Sequence, residues 1–518
     1  MRNLIPAVVL GLFTSLLVCS AQDNGFTIEG SNIARLDEGR EVDARRAEFA
    51  YPDNTLTRRF FENRLRLDVY RGNIRVGGRL LYFRPSAADQ IQFGLKDEGR
   101  IDKRYLEATL DPFKMRVGHF SDLWGSGLVF SSFENRELYF DSELDGFRGE
   151  LDVGPVVVTA IRGSSEDGYL VKHAEVSGAH VSGQIGGSSV GLSYALIDSV
   201  AAYPDARTVR GIDWRLTRGI ATVYGERAWN MIGFGGDAPE THATYVGLVL
   251  SKYKSSFLFD YKDYDYRRYT PFQNPPTVYR EVGPRLLQGR EPHTLNPADE
   301  VGYQVELSSQ VRPKSFVTLH YNLTSQHDRE DSFIPVPSRK QIHSPYWESF
   351  VSLDQDLPAS RHVFAELGAN EQAAVSWQKR KWAWAKFRTP VRGKQSIEFE
   401  TEQMLVTDRT RQDRKFHDQL YGVGWEPTTS FSLALSAQFS NDDEFRRKEG
   451  RAKLLRDLGL FPNEASWLSA EAAMSFGQGA HRLIAFYGTE RGGLRCSNGV
   501  CRQVQAFSGW RLTLESSL

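Results

Sequence analysis

The feature that most constrains this chain is a recurring period of two. Phe431, Leu433, Leu435, Ala437 and Phe439 alternate with Ser432, Ala434, Ser436, Gln438 and Ser440. Val317, Leu319, Tyr321 and Leu323 do the same against Thr318, His320, Asn322 and Thr324, and Leu65, Leu67 and Val69 against Arg66, Asp68 and Tyr70. Such a period puts successive side chains on opposite faces of a strand. Segments of roughly ten residues with this pattern cross an outer membrane when tilted. After the N-terminal leader, no stretch approaches the apolar run of about 18 residues that a membrane helix needs. The expected fold is therefore all-β, a transmembrane antiparallel β-barrel of the outer-membrane type. At about 20 residues per strand and connection, the chain holds roughly 18–26 strands, with long loops.

The N-terminus sets the compartment. Arg2 precedes the apolar run Leu4 to Val18, and Cys19-Ser20-Ala21 supplies small residues for cleavage. Residues 1–21 read as a secretory signal peptide. Lipidation at Cys19 is the competing reading, disfavoured by Val18 where a lipobox takes a small residue. Residues 22–60 are polar, with Arg45, Arg46, Arg58 and Arg59 among acidic neighbours, and read as a periplasmic lead-in or a strand that pairs late. The barrel is assigned to residues 61–518. A net charge of −1 argues against a nucleic-acid partner.

Near the chain end, Leu483–Leu494 and Val500–Leu514 read as two strands joined by Ser497-Asn498-Gly499-Val500. Asn-Gly favours a type I′ hairpin. In that register Ser497 pairs with Val500, and Cys496 faces Cys501 closely enough for a disulfide in an oxidising compartment. With an even strand count and periplasmic ends, this tip is extracellular. Three connections read as long: Lys262–Glu300, rich in proline, Ser325–Arg361, and Asn441–Ser466 with a short helix at Arg451–Leu460.

Arg116-Val117-Gly118-His119-Phe120, Gly125-Ser126-Gly127-Leu128-Val129, Glu134-Asn135-Arg136 and Leu144-Asp145-Gly146 together resemble a family of large bacterial outer-membrane β-barrels of unknown function. Tyr279-Arg280-Glu281, Asn296-Pro297 with Glu300, and Gly492-Gly493, Cys496 and Gly499-Val500-Cys501-Arg502 extend the resemblance. It implies a fold and a location, the outer membrane, and no catalytic residues.

The candidate functional surface is the charged stretch Glu134, Arg136, Glu137, Asp141, Glu143, Asp145 and Arg148. In a lumen, facing carboxylates and guanidinium groups select solutes by charge and size. The alternative is a network that only satisfies charges in the wall or at its rim. Gly187-Ser188-Ser189-Val190-Gly191 matches G-x-S-x-G, but the glycines before it suggest a hairpin turn and no helix follows. Asp260, Asp263 and Asp265 fit no EF-hand, and the adjacent Tyr261, Tyr264, Tyr266 and Tyr269 are expected to form an aromatic girdle, with the aspartates solvated. Lys379-Arg380-Lys381 beside Trp377, Trp382 and Trp384 reads equally as a lipid head-group contact or a strand-end charge cluster.

The sequence thus points to a porin-like, non-enzymatic barrel for small solutes, with no cofactor and no metal. Its expected partners are outer-membrane lipid, the barrel-assembly machinery during insertion, and the solutes themselves. A non-conducting barrel that binds a periplasmic or surface protein through its long loops is the alternative. A hydrolase would need a Ser-His-acid set that the sequence does not display.

Overall fold

The computed structural model describes residues 25–43, 50, 52–166, 171, 173–199, 203–232, 241–267, 269–280, 287–290, 292–328, 334–373, 377–450, 455, 457–461, 463–497 and 500–517. The expected signal peptide lies outside them. The wall begins with β1 (Thr27–Val42), β2 (Thr55–Arg71), β3 (Ile74–Arg84), β4 (Glu98–Leu110), β5 (Phe113–Phe120) and β6 (Leu144–Val153). It continues through β7 (Val156–Ser165), β8 (Ala174–Ile185), β9 (Ser188–Ser199), β10 (Tyr203–Arg218), β11 (Ala221–Ile232) and β12 (Thr241–Lys252). Next come β13 (Ser255–Asp265), β14 (Glu300–Arg312), β15 (Ser315–Ser325), β16 (Tyr346–Leu357), β17 (Arg361–Gln372) and β18 (Gln378–Pro390). The last six are β19 (Ser396–Asp408), β20 (Arg414–Thr428), β21 (Phe431–Ser440), β22 (Ala465–Phe476), β23 (His481–Glu490) and β24 (Phe507–Ser517). Each pairs antiparallel with the next, and β24 pairs back onto β1 from Ser31–Ser517 to Glu41–Phe507. The result is a closed sheet of 24 strands.

Closure removes every sheet edge, so the backbone is satisfied within the wall, as lipid requires. The outer face is apolar: Leu106, Val117, Leu192, Leu319, Leu367, Leu405 and Leu435 all project from it. Arg66 and Asp68 face inward, as the alternation in β2 predicts. This is an outer-membrane barrel. Tight turns such as Gly72-Asn73 and Gly154-Pro155 lie on one rim, with both wall ends, Thr27 and Ser517. Long connections lie on the other rim. Short turns are periplasmic and long loops extracellular.

Several expectations are corrected here. Residues 22–60 hold wall strands, the late-pairing alternative, and not a periplasmic lead-in: β1 and the start of β2 fall there, so the barrel starts at Thr27 rather than at residue 61. Of the charges that disguised these strands, Arg35, Asp37, Glu41 and Arg58 face inward and meet one another. Asp37, fully buried, accepts from Arg35 at 2.7 Å, Arg58 at 2.9 Å and Arg511 of β24 at 3.0 Å. Of Ser325–Arg361 only the first part is a connection, because Tyr346–Leu357 forms β16. The last long loop carries a helix at Asp443–Glu449; the helix expected at Arg451–Leu460 falls partly outside the described residues, and Leu455 and Asp457 within it are helical. The terminal hairpin is also divided. Its wall strands stop at Glu490 and resume at Phe507, and a separate two-stranded ribbon, Gly493–Ser497 with Val500–Val504, rises between them. The turn residues Asn498 and Gly499 lie outside the described residues.

The closing seam depends on close backbone approach. Gly39, Gly509 and Gly488 pair side by side across β1, β24 and β23. A Cβ on Gly509 would stand 2.2 Å from the Glu38 carbonyl oxygen, whereas one on Gly183 in β8 would meet nothing within 4 Å. Gly509→Val is expected to abolish the compact, heat-modifiable band on unboiled gels, and Gly183→Val to retain it. A folded Gly509→Val barrel would refute this account of the seam.

Candidate functional site

A barrel this wide is not filled by its own wall side chains. Four extracellular connections fold inward instead, and carboxylates on the inner wall receive them. The first is the β3–β4 connection, which carries α1 (Ala87–Phe93). Ser86 caps α1 by accepting from Asp89 N–H, and the Ala88 N–H donates to Glu41 at 2.7 Å.

The second is 121–143. Its Gly125 and Gly127 adopt positive φ of 55° and 89°, turning the chain so that three amides converge on Glu226 of β11. The N–H groups of Ser126, Leu128 and Val129 donate to that carboxylate at 2.5, 3.2 and 3.1 Å. Trp124, Leu128, Val129 and Phe130 are almost wholly buried around this contact. A buried carboxylate must be matched by donors, and here the backbone supplies them.

Most of the predicted charge cluster follows in the same connection. Glu134 accepts from Arg79 at 2.5 and 2.7 Å, and Arg79 also holds Asp102 at 2.6 Å. Arg136 donates to Glu62 at 2.8 Å. Asp141 and Glu143 share Lys103 at 2.5 and 3.0 Å. Arg148, on the inner face of β6, bridges Asp122 and Glu150. Glu137 is exposed, and its carbonyl oxygen accepts from Arg502 at 3.0 Å. Asp145 is the exception to a lumenal assignment. It alternates with the inward Leu144 and Gly146, so it points outward and meets Arg104 at 3.4 Å.

These charges therefore hold the connection to the wall. Burial opposes ionisation of Glu134, but Arg79, Lys103 and Arg136 keep its pKa below the ordinary carboxylate value. Asp141 goes the other way, because burial outweighs Lys103 and the neighbouring carboxylates add to it.

The third connection is the proline-rich 266–299. Buried Lys262 donates to the Thr277 carbonyl at 2.5 Å and to Glu300 at 3.1 Å. Glu300 also takes the Asn296 N–H at 2.6 Å and His293 at 2.9 Å. Arg280 grips Glu366 of β17 at 2.9 Å, with its guanidinium 3.4 Å over the Phe350 ring, and the Leu287 N–H reaches Glu402 of β19 at 3.1 Å. Glu281 lies outside the described residues. The expected tyrosine girdle is corrected at two of its four members: Tyr264 and Tyr266 are fully buried and donate to the carbonyls of Pro276 and Leu128, while Tyr261 is half-buried and Tyr269 exposed. Asp260 and Asp263 are buried too, accepting from Tyr224 and Gln304, and from His327. Among the described residues no group of ligands is arranged for a metal ion.

The fourth is the terminal connection. Cys496 and Cys501 are joined, 4.1 Å apart at Cα, as their register requires. Arg502 lies 3.7 Å over the Tyr139 ring and reaches Asp89 at 3.3 Å, locking the ribbon to both 121–143 and α1. Its other strand touches Gln288–Arg290 of the third connection. At its base, buried Arg491 pairs with Asp418 of β20 at 2.7 Å. The four segments thus form a layer across the mouth, from Glu62 on one wall to Glu366 and Glu402 on another.

On the short-turn side of this layer the inner wall is lined with ion pairs. From β2 to β6, Arg66 and Arg75 meet Asp68, Arg116 meets Glu107 and Arg148 meets Glu150; from β16 to β20, His362 meets Asp354, Lys386 meets Glu400 and Arg388 meets Glu426. Several face open lumen: the side chains of Arg66, Asp354 and Glu426 are 48%, 54% and 46% exposed.

Outside, the rim holds an aromatic belt. Trp347 and Trp377 both donate to Glu371, and Arg409 stacks 4.3 Å over Trp377. Lys379 and Lys381 share this outer face, whereas Arg380, Trp382 and Trp384 are buried on the inner one. The G-x-S-x-G match is a turn followed by β9. A Ser193–His180–Asp213 set does exist, but Ser193 and Asp213 both approach His180 Nδ1, at 2.8 and 3.8 Å. A proton relay needs the two partners on opposite ring nitrogens. Nothing in the sequence spacing revealed this set, or the role of Glu226.

A family model described as a family of unknown function, DUF6029, matches residues 21–190 and 386–518. The chain belongs to this family. No curated protein matches it. Among solved structures it is similar to a chain of the Escherichia coli P pilus tip assembly intermediate PapC-PapD-PapK-PapG, at 10% identity and a TM-score of 0.48, covering 97% of this chain and 62% of that one. The chain thus spans less than two thirds of that relative. The P pilus usher (PapC) translocation pore gives 9% identity, a TM-score of 0.46 and coverage of 95% and 99%. OccK3 of Pseudomonas aeruginosa gives 12%, 0.40, 76% and 98%. For DUF6029, the pinned layer is the feature to test.

Two outcomes follow. Glu226→Gln replaces an acceptor of three amides by a group that also donates, and should destabilise the 121–143 attachment by about 1–3 kcal/mol. New protease cleavage within 121–143, in barrels that stay closed, is the expected readout; an unchanged digest would count against the pin. At the outer rim His327 donates to Asp263 at 2.9 Å and Asp299 at 2.6 Å. Burial alone would lower its pKa, but these carboxylates outweigh burial and push it up to about 9. The raised value means the link is fully present below the unfolded pKa of 6.5 and is lost as pH climbs through about 9. Proteolysis of residues 334–345 should accelerate over that window, and His327→Gln should remove the pH dependence.

Proposed function

We propose that this barrel is an outer-membrane passage for small polar or zwitterionic solutes, narrowed by its own in-folded extracellular connections. The ion pairs left partly exposed on the lumenal wall beneath the layer are the observation that carries this reading. Exposed charges of both signs around a water-filled path orient dipolar solutes and discriminate by size and charge. Arg66 and Glu426 keep their partners Asp68 and Arg388 and are still about half exposed to the lumen. The inner layer limits bore and supplies the selectivity that a lumen of this width lacks.

A second reading rests on a different observation. The layer runs from wall to wall, and its exposed extracellular surface would suit a non-conducting barrel that binds a partner protein. Periplasmic or surface proteins are the candidates.

Single-channel recording in planar bilayers separates the two. Purified protein with the Cys496–Cys501 bond intact is expected to give small ohmic steps, far below those of an unobstructed lumen. Replacing Gly493–Val504 by a short glycine linker should enlarge the steps several-fold. Silence from both proteins, with folding shown by heat-modifiable mobility, would remove the passage and leave the binding barrel.

A further inference from the structure

The outer wall between β3 and β7 contains a feature that solute passage does not use. Arg104 lies between the inward-facing Lys103 and Tyr105, so its side chain points away from the lumen, 72% exposed. Its carboxylate neighbour is Asp145 at 3.4 Å. Arg162 is also exposed on the outer face, where it pairs across the strands with Phe147 while Ile161 is buried on the inner one. Among the described residues Arg162 forms no salt bridge.

The two arginines line one groove of about 790 Å³ together with Asp145 and the outward apolar side chains Val76, Leu106, Val117 and Phe147. Leu106 and Val117 pair with each other further toward the short-turn rim than Arg104. On the long-loop side stands the rim cluster of Arg100 and Glu166, 2.8 Å apart. Leu80, Tyr82 and Ile101 also point outward on the long-loop side of Arg104, so the arginines are rooted within the apolar belt, and their long stems let the guanidinium groups snorkel toward the head groups of the extracellular leaflet. Guanidinium groups facing hydrocarbon are costly unless an anion meets them, and the apolar floor is costly unless chains cover it. A free phosphate would satisfy only the first demand.

We propose that this groove binds a phosphorylated, multiply acylated glycolipid of the outer leaflet, of the lipid A type. Arg104 and Arg162 hold the phosphate, and Val76, Leu106, Val117 and Phe147 hold acyl chain. Asp145 orients Arg104 and trims the site to a net single positive charge, which matches one phosphate group rather than a polyanion. A second outer groove of about 800 Å³, lined by Tyr421, Leu435, Leu468 and Tyr487, contains Asp457 and no cation among its described lining residues. It provides an apolar comparison on the same wall.

The test uses delipidated full-length barrel in neutral detergent, read by native mass spectrometry against lipid A, its dephosphorylated form and phosphatidylethanolamine. Lipid A should be retained, and the dephosphorylated form bound about tenfold more weakly, since charge-assisted bonds to the phosphate are lost. Arg104→Gln with Arg162→Gln should weaken lipid A by a similar factor while heat-modifiable mobility is unchanged. Equal retention of the two lipid A forms, or by the double variant, overturns the site. Phosphatidylethanolamine retained as strongly as lipid A overturns the glycolipid assignment. If the double variant does not fold, the dephosphorylated lipid on the parent protein decides alone.

Discussion

A carboxylate on the inner wall of a wide barrel has two ways to avoid the cost of burial: stay wet, or be met by donors. The upper half of this molecule is built on the second choice. Glu226 takes three backbone amides, Glu300 takes an amide with a lysine and a histidine, and Glu366 takes the Arg280 guanidinium. Because all these donors except Lys262 belong to extracellular connections, satisfying the wall and folding the connections inward are one event. The lower half pairs its carboxylates with cations of the wall itself and leaves the pairs partly wet, so they remain available to a solute.

This coupling explains why the residues carrying the family resemblance are clustered where they are. Gly125 to Val129 form the turn around Glu226, Glu134 and Arg136 face Arg79 and Glu62, and Asn296 and Glu300 bind each other. Gly118 and Gly146 pair across β5 and β6, where a Cβ would strike the adjoining strand. Arg502 closes the set by stacking on Tyr139. These motifs are the joints between wall and layer.

The wall was legible because lipid on one side imposes a strict alternation, as in β15 and β21. β1 escaped because its inward positions Arg35, Asp37 and Glu41 are charged while its outward ones include Glu38 and Arg40, leaving no apolar face to see. β16 escaped for the opposite reason, with Tyr346 and Phe350 inward and Trp347 and Val351 outward. Tyr264 and Tyr266 were misplaced because an aromatic near a strand end looks the same whether it greets lipid or a folded loop. The cysteine pair was legible since its geometry is local. The candidate charge cluster was found, but its partners Glu62, Arg79 and Lys103 lie in other strands, so only the structure distinguishes a tether from a filter.

The contact between Asp37 and Arg511 spans 474 residues, nearly the whole chain. A contact so distant in sequence pays close to the largest loop-closure entropy this chain allows, and it cannot form until synthesis is nearly finished. The first strand must therefore wait as an open edge until the last one arrives, shielded by whatever receives the chain in the periplasm. The ribbon carrying the disulfide sits in the connection just before that last strand. The layer is then keyed shut at the same late stage as the wall, so neither a shortened chain nor a stalled one can present a sealed cylinder with a missing plug.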